Sequence, residues 1–325
     1  MPEKRKYLYG PVPSRRLGRS YGIDIVPFKV CTLDCVYCQL GRTLEKTVER
    51  KDYIPIESVL AELKEALAGG VAADYVTIAG SGEPTLHVRL GELVDGIKKI
   101  TAIPVAILTN GTLLYRPDVR ADCAKADVVM PSLDAADNET FERINCPCGA
   151  ISVEKVISGL CAFREEFAGQ IWLEVFLVEG INTGPRQIAR IKEAAARIKP
   201  DKIQLNTAVR PTADPNIVPL DAERLQAIAA ALGPRCEVIA DFPSAAGMAL
   251  RNGTAQETLE LHSPVGPKSE RLLSMLKRRP CSLKDICAAL GMSRDEAIGH
   301  VTDLQRQKLV QSEEKDGRVF FKASS

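Results

Sequence analysis

The sequence predicts an α/β fold: a partial (β/α)6 TIM-type barrel followed by a small C-terminal winged-helix domain. Three observations predict it. Short runs rich in Val, Ile and Leu alternate with amphipathic segments up to about residue 242, and such alternation builds βα units on a parallel sheet. The alternation stops near Phe242, where a stretch rich in Ser, Ala, Gly, Pro and Thr begins. Beyond it the chain reads as a helix, a helix–turn–helix and a hairpin, which is winged-helix order. The expected division is 1–242 for the barrel, 243–267 for a linker and 268–325 for the winged helix.

Six strands are expected, at Ser20–Val26, Asp74–Ala79, Pro104–Leu108, Asp127–Met130, Ile171–Val178 and Lys202–Asn206. Amphipathic helices are expected at Ile56–Ala68, Leu90–Ile100, Val153–Phe167, Arg186–Ile198 and Asp221–Leu232. In this architecture reactive groups gather at the C-terminal ends of the strands. In the last segment Ser269–Lys277 and Leu283–Leu290 read as helices, and Ser293 is placed as the N-cap of Arg294–Gln307. Leu309–Glu314 and Val319–Lys322 flank Asp316-Gly317, a strong hairpin signal.

Composition narrows the function classes. Of 325 residues 45% are hydrophobic and 26% charged, an ordinary globular balance. A net charge of +1 gives the whole molecule no electrostatic preference for nucleic acid or anionic membrane. No apolar run approaches the roughly 20 residues of a membrane-spanning helix, and the charged start leads into no apolar stretch. The expected location is the cytoplasm, with no membrane partner. Ten cysteines in a long chain of that kind read as metal ligands, catalytic thiols or core residues.

Three of them are clustered: Cys31-Thr-Leu-Asp-Cys35-Val-Tyr-Cys38, just after the first expected strand. Three thiolates on one short loop can wrap one face of a cubane and ligate three irons. Either a distant cysteine completes the set, or one iron stays open. A zinc knuckle would close with a fourth Cys or His at short spacing, and none lies nearby. At the next strand end stands Gly80-Ser-Gly82-Glu83. Its glycines permit close backbone approach, and its carboxylate suits an ammonium partner. Thr109-Asn110-Gly111 follows the third strand and is otherwise a plain turn. After the fourth strand, Ser132 and Asp134 fall on one side of an extended strand end, where they can meet hydroxyl groups or cap a helix.

With Tyr37 in front of Cys38, the cysteine spacing resembles the signature of the radical SAM superfamily. The resemblance implies a [4Fe-4S] cluster on Cys31, Cys35 and Cys38, with S-adenosylmethionine (SAM) chelated at the open iron. It implies an enzyme that reductively cleaves SAM to a 5′-deoxyadenosyl radical, which abstracts hydrogen from a substrate. An external electron donor such as ferredoxin or flavodoxin would then be a partner. It further implies adenine contact around Tyr37, amino-group binding by Gly80, Gly82 and Glu83 with Ser81 interrupting the glycines, and ribose contact by Ser132 and Asp134. Asn110 joins the set of expected SAM contacts.

Gly10-Pro-Val-Pro-Ser-Arg-Arg-Leu-Gly-Arg19, Cys38-Gln-Leu-Gly-Arg42-Thr43 and Ser132-Leu-Asp-Ala135 are similar to a poorly characterised branch grouped with the wyosine-type tRNA-base synthases. That likeness spans about residues 7–240 and implies an RNA base as substrate. Activation of a glycyl-radical enzyme, or modification of a peptide or metabolite, are alternatives. A reading of another class is an iron–sulfur redox sensor that binds DNA. The winged helix alone motivates it, and the Gly-Glu motif would have no purpose there.

Asn145-Cys146-Pro-Cys148 departs from the Asn-Arg-Pro-His that the branch implies. Cys146 and Cys148 could ligate a second cluster, donate a hydrogen atom, carry a covalent intermediate, or be a neutral replacement. Arg15, Arg16, Arg19, Arg42 and Arg210 are candidate anion contacts. Cys123, Cys161, Cys287 and Cys236 read as core fillers, and Cys281 is unassigned. His87, His262 and His300 lack metal-type spacing; His87 is read as a surface or capping residue, or one lining the pocket. Residues 268–322 carry 12 Lys and Arg against 8 Asp and Glu, while the rest of the chain carries 31 against 34. The expected recognition helix holds Asp295, Glu296 and Asp303, a poor face for phosphate. Lys277-Arg-Arg279, Lys315 and Arg318 are better suited to nucleic acid, and protein docking is the other role of such a module.

Overall fold

The computed structural model describes residues 6–70, 73–242 and 267–324. All of the expected 243–267 linker except Pro267, which opens a helix, lies outside the described residues, as does His262.

The chain opens with a hairpin, β1 (Leu8–Ser14) and β2 (Gly18–Ile23), then a short pair, β3 (Val30–Cys31) and β4 (Glu45–Lys46). The alternation follows as α1 (Ile56–Ala68), β5 (Tyr75–Ile78), α2 (Leu90–Ile100), β6 (Val105–Thr109), α3 (Pro117–Cys123) and β7 (Val128–Pro131). It continues through α4 (Asn138–Asn145), α5 (Val153–Glu166), β8 (Gln170–Leu177), α6 (Pro185–Ile198), β9 (Lys202–Thr207), α7 (Ala222–Leu232) and β10 (Cys236–Val238). The winged helix consists of α8 (Pro267–Leu276), α9 (Leu283–Leu290), α10 (Arg294–Arg306), β11 (Val310–Lys315) and β12 (Arg318–Ala323).

Eight strands form one sheet in the order β1-β2-β5-β6-β7-β8-β9-β10. Every pair from β2 onward is parallel, and β1 joins β2 antiparallel. The six expected strands form the centre of this sheet. The first is Gly18–Ile23 rather than Ser20–Val26, because the preceding residues fold back as β1 and pull the register forward. Tyr9 lies across Gly22, where a Cβ would stand 2.0 Å from the ring carbon Cζ.

The helices bury one stripe each. On α2 that stripe is Leu90, Leu93, Val94 and Ile97; on α6 it is Ile188, Ile191, Ala194, Ala195 and Ile198. The other face of the sheet has its own small core. Leu17, in the β1–β2 turn, packs with Ala106, Val128, Met130 and Trp172. A turn at one edge of the sheet therefore reaches strands at its middle, so the sheet curves into an open barrel with the hairpin turn inside it.

The winged helix follows its expected chemistry. Ser293 caps α10 by accepting from the Glu296 amide, Gly291 ends α9 with φ of 64°, and Asp316 and Gly317 turn the hairpin with φ of 48° and 68°. Cys281, unassigned in sequence, pairs by backbone with Phe321 and extends the wing. The module spans both free edges of the barrel. Val12 of β1 belongs to its core together with Leu272, Leu276 and Ile286. Arg210, past β9, pairs with Asp285 of α9 at 3.2 Å, and Arg318 donates to the Asp241 carbonyl, past β10, at 3.1 Å. Among the described residues no helix is long and apolar enough to cross a membrane.

Candidate active site

Cys31 ends β3, and the loop it opens is tied to three neighbours. The Val36 amide donates to the Ile144 carbonyl at 3.0 Å, the Cys148 amide to the Thr32 carbonyl at 2.9 Å, and the Asp214 amide to the Val36 carbonyl at 2.9 Å. Asp34 turns the loop inward by accepting from the Thr43 amide at 2.7 Å. The glycine-rich turn sits directly behind. The Glu83 amide donates to the Val30 carbonyl at 3.1 Å, and a Cβ on Gly82 would stand 2.2 Å from that oxygen. Gly82 is thus required by the approach of the cysteine strand. Gly80 makes room for Asp24, whose carboxylate accepts from the Ser81 amide at 3.2 Å and hydroxyl at 2.5 Å. Ser81, which interrupts the glycines, holds Asp24 in place.

Each of the three clustered sulfurs accepts a side-chain N–H. Lys29 Nζ donates to Cys38 at 3.1 Å, Asn110 Nδ2 to Cys31 at 3.5 Å and Asn145 Nδ2 to Cys35 at 3.4 Å. Lys29 is 3% exposed and lies at φ of 60°, a left-handed backbone that a lysine rarely adopts. Burial pushes the Cys31 thiol up to about 12, and burial, then Asp134, pushes Cys35 well above its ordinary range. Thiols held this way ionise against a bound cation, which iron supplies. Among the described residues no three His, Cys, Asp or Glu side chains converge on a single-ion site. One zinc ion needs all its sulfurs about 2.3 Å from one point; a cubane binds each thiolate to a different iron. The donor types and their C-x3-C-x2-C spacing along the chain fit a cluster.

The expected SAM-binding residues surround this loop, already bonded to one another. Glu83 is buried; Oε1 accepts from the Thr85 amide at 3.0 Å and from the Thr85 and Thr109 hydroxyls at 2.6 Å each, and Oε2 from the Asn110 amide at 2.8 Å. Burial raises its pKa despite these donors. Asn110 also donates to the Thr32 hydroxyl at 2.7 Å, so it couples the end of β6 to the cysteine loop. Asp134 is buried and accepts from Tyr37 Oη at 2.5 Å, Asn145 Nδ2 at 2.7 Å and the Phe176 amide at 2.8 Å. Burial lifts its pKa to about 6. Tyr37 stacks on Phe176 with ring centres 3.9 Å apart. Ser132 is half-buried beside Asp134, bridged to Glu174 of β8.

Cys146 and Cys148 border the cysteine loop: the Asp34 amide donates to the Cys146 carbonyl at 3.3 Å and the Cys148 amide to the Thr32 carbonyl at 2.9 Å. Cys146 caps α4 in a left-handed conformation, its carbonyl accepts from Lys46 Nζ at 3.2 Å, and the charges acting on its thiol are Asp34, Arg42 and Lys46. His87 is fully buried: Nε2 bonds the Ile54 carbonyl at 3.0 Å and Nδ1 accepts from the Arg89 amide at 3.1 Å. It pins the segment before α1 and is neither at the surface nor in the site.

Several residues were not singled out in sequence. Lys29 carried no signal, because nothing in a sequence marks a lysine as left-handed and buried. Asn145 stands out in the sequence only as part of the Asn-Cys-Pro-Cys departure. Asp24 was hidden inside an expected strand, and it links the glycine turn to Arg278 of the winged helix at 3.4 Å.

Comparison with known proteins agrees with this geometry. The family model of the Radical SAM superfamily matches residues 25–199, and that of the MarR family matches 270–319. A Brachyspira hyodysenteriae protein named GTPase Obg is 39% identical over 309 residues, which is 95% of this chain and 43% of that one. The chain thus spans less than half of that relative, and it contains no Gly-Lys pair of the kind a nucleotide-binding P-loop uses. A UPF0026 protein of Methanocaldococcus jannaschii is 36% identical over 224 residues, 68% of this chain and 70% of that one. Among solved structures, Streptococcus suis SuiB bound to its precursor peptide SuiA has a TM-score of 0.53 at 16% identity, covering 67% of this chain and 48% of SuiB. The same protein bound to SAM has a TM-score of 0.51 at 16% identity, over 68% and 50%. The cysteine loop, the buried carboxylate behind it and these matches lead to one conclusion: the chain belongs to the radical SAM superfamily, groups there with the UPF0026 proteins, and carries a MarR-type winged helix.

Proposed function

We propose that Cys31, Cys35 and Cys38 hold a [4Fe-4S] cluster whose open iron takes SAM, and that the chain directs the resulting radical to a substrate in the barrel mouth. The observation that carries this is the set of three sulfurs, each with its own N–H donor, backed by the buried Glu83. When bound, the cluster and SAM supply one-electron cleavage to a 5′-deoxyadenosyl radical. The chain's own residues do the rest. Lys29, Asn110 and Asn145 hold the thiolates in place and set their electron density. Glu83 orients the methionyl amino group, on a turn that Gly80 and Gly82 let pack against Asp24 and the Val30 carbonyl. Tyr37 fixes the loop over the adenine, while Ser132 meets the ribose and Asp134 holds Tyr37 and Asn145 beside it. Electrons come from a small carrier such as ferredoxin or flavodoxin. The substrate is an RNA base on the branch resemblance; a peptide, a metabolite or a glycyl-radical enzyme are the alternatives.

The test is anaerobic reconstitution followed by dithionite and SAM. The expected result is 5′-deoxyadenosine and methionine from wild type, and none from Cys35→Ala. A fully clustered wild type that releases no 5′-deoxyadenosine, with or without candidate substrates, would count against the proposal.

A further inference from the structure

Guanidinium groups gather where the winged helix meets the barrel, and they outnumber their acids. Arg210 pairs with Asp285 at 3.2 Å. Arg16 pairs with Glu174 at 2.6 Å, whose other oxygen accepts from Asn206 at 3.0 Å. Arg278 stands 3.4 Å from Asp24. Arg15, in the β1–β2 turn, and Arg279, just past α8, have no ion pair within 4.0 Å among the described residues. Arg279 Nη2 is buried without a hydrogen-bond partner, a costly arrangement for a charged group. The acid left over is Asp241, which is exposed and acts on Arg15 and Arg210 only at longer range. Arg15 is exposed, with Arg210 and Arg16 acting on it against Glu174; burial, followed by Arg279, lowers Arg210 despite Asp285, which faces both Arg210 and Arg279. These cations therefore face one another, and an anion between them would relieve the repulsion.

Two of these residues, Arg278 and Arg279, line a cleft of about 720 Å³. One wall is the end of the cysteine loop, Gln39 to Gly41; the other is Lys277 and Arg279 of the winged helix, with Pro211 beside Arg210. That volume lies within the range of small-molecule sites, about 300–1,000 Å³.

We propose that this cleft is the substrate site, that the winged helix is its outer wall, and that Arg279 receives a phosphate group of the substrate with Arg15 and Arg210 behind it. This rests on the radical SAM reading, which puts the reacting atoms beside the cysteine loop. The unpaired planar fork of Arg279, with further guanidinium charge close behind it, suits a dianion with several acceptor oxygens better than a single carboxylate. A phosphate monoester carries about −1.5 to −2 at neutral pH. A mononucleotide and an RNA strand share that chemistry, and the assay separates them.

The experiment titrates oxidised, reconstituted full-length protein with inorganic pyrophosphate, adenosine 5′-monophosphate, a short single-stranded RNA and succinate, read by calorimetry. SAM binding is measured in parallel. Saturable binding of pyrophosphate and of one nucleotide source is expected, with succinate weaker. Arg279→Gln should weaken phosphate binding about tenfold or more, the scale of one lost charge-assisted hydrogen bond, while leaving SAM affinity within about twofold. Arg279→Lys, which keeps the charge, should lie between; it serves as the second variant if the Gln form does not fold. Tighter binding of the mononucleotide than of RNA identifies a small substrate, and the reverse identifies RNA; either supports the site. Absence of saturable phosphate binding, or phosphate binding unchanged in both variants, would overturn it. So would loss of SAM affinity in Arg279→Gln, since the guanidinium would then serve the methionyl carboxylate. No reductant is present, so failure of SAM cleavage and failure of this site are separate results.

Discussion

At the scale of single residues, the site depends on side chains that point at sulfur. Lys29 brings a positive charge to Cys38 at 3.1 Å. Removing it makes the cluster harder to reduce. Lys29→Met is therefore expected to lower the cluster midpoint by roughly 50–100 mV, the size of one charge-assisted hydrogen bond, as measured in a redox titration followed by electron paramagnetic resonance. An unchanged midpoint would remove Lys29 from the account. Gly82→Ala is a steric test. Its Cβ would meet the Val30 carbonyl at 2.2 Å, and neither partner is a flexible side chain. The variant should bind less than half the iron of wild type after equal reconstitution, and full loading would show that the strand can move aside. The sequence displayed the three cysteines and Glu83, because chemistry fixed their types and spacing. It did not display Lys29 or Asn145, whose roles come from backbone conformation and from a helix end that folds over the loop.

At the scale of elements, Arg278 joins the winged helix to the glycine turn. Its guanidinium lies 4.6 Å from the Tyr9 ring centre and 3.4 Å from Asp24. Arg278 and Asp24 side chains are 14% and 9% exposed, so truncating one leaves the other charge buried and alone. Arg278→Ala should cost about 3 kcal/mol of stability, and adding Asp24→Asn should restore part of it. Denaturant unfolding of both variants measures this; additive losses would show that the two groups do not interact. The α10 face is a poor phosphate surface. Glu296 is paired with Lys268, and Arg306 lies 3.7 Å from Asp303. The order of helices, the Ser293 cap and the Asp-Gly hairpin were all legible, because they are local signals. The packing of the winged helix across β1 and the ends of β9 and β10 was not, since it follows from surfaces that lie 75 residues apart at Arg210 and Asp285, 77 at Arg318 and Asp241, and further still at β1. β1 itself was missed, as its Pro and Gly residues obscure the period of a strand.

At the scale of the whole molecule, the open barrel is closed by two devices, the Leu17 turn within it and the winged helix along its side. Buried groups tune the stability of this assembly to pH. His87 is held neutral by burial, which lowers its pKa against the smaller pull of the Ile54 carbonyl and Asp52. Below about pH 6.5 an unfolded chain takes up a proton that the folded chain refuses, so stability falls as the pH falls. His87→Gln should flatten this dependence between pH 7 and pH 5.5, measured as the change in urea midpoint relative to wild type. An equal slope in the two proteins would show that His87 is not its source. The fold class was legible as a whole because alternating strands and helices leave few topologies. The three-way contact of cysteine loop, glycine turn and α4 was legible only in part, because it is written in distances rather than in spacing.

The central claim is that three cysteines hold a cluster with one iron left open to SAM. The most direct measurement is the electron paramagnetic resonance spectrum of the dithionite-reduced protein before and after SAM is added. A cluster signal that changes shape with SAM is expected in wild type and in the Cys146→Ala/Cys148→Ala double variant, with about four irons per chain in both, and no such signal in Cys35→Ala. A reduced cluster whose spectrum is indifferent to saturating SAM, or one that survives the loss of Cys35, would contradict it.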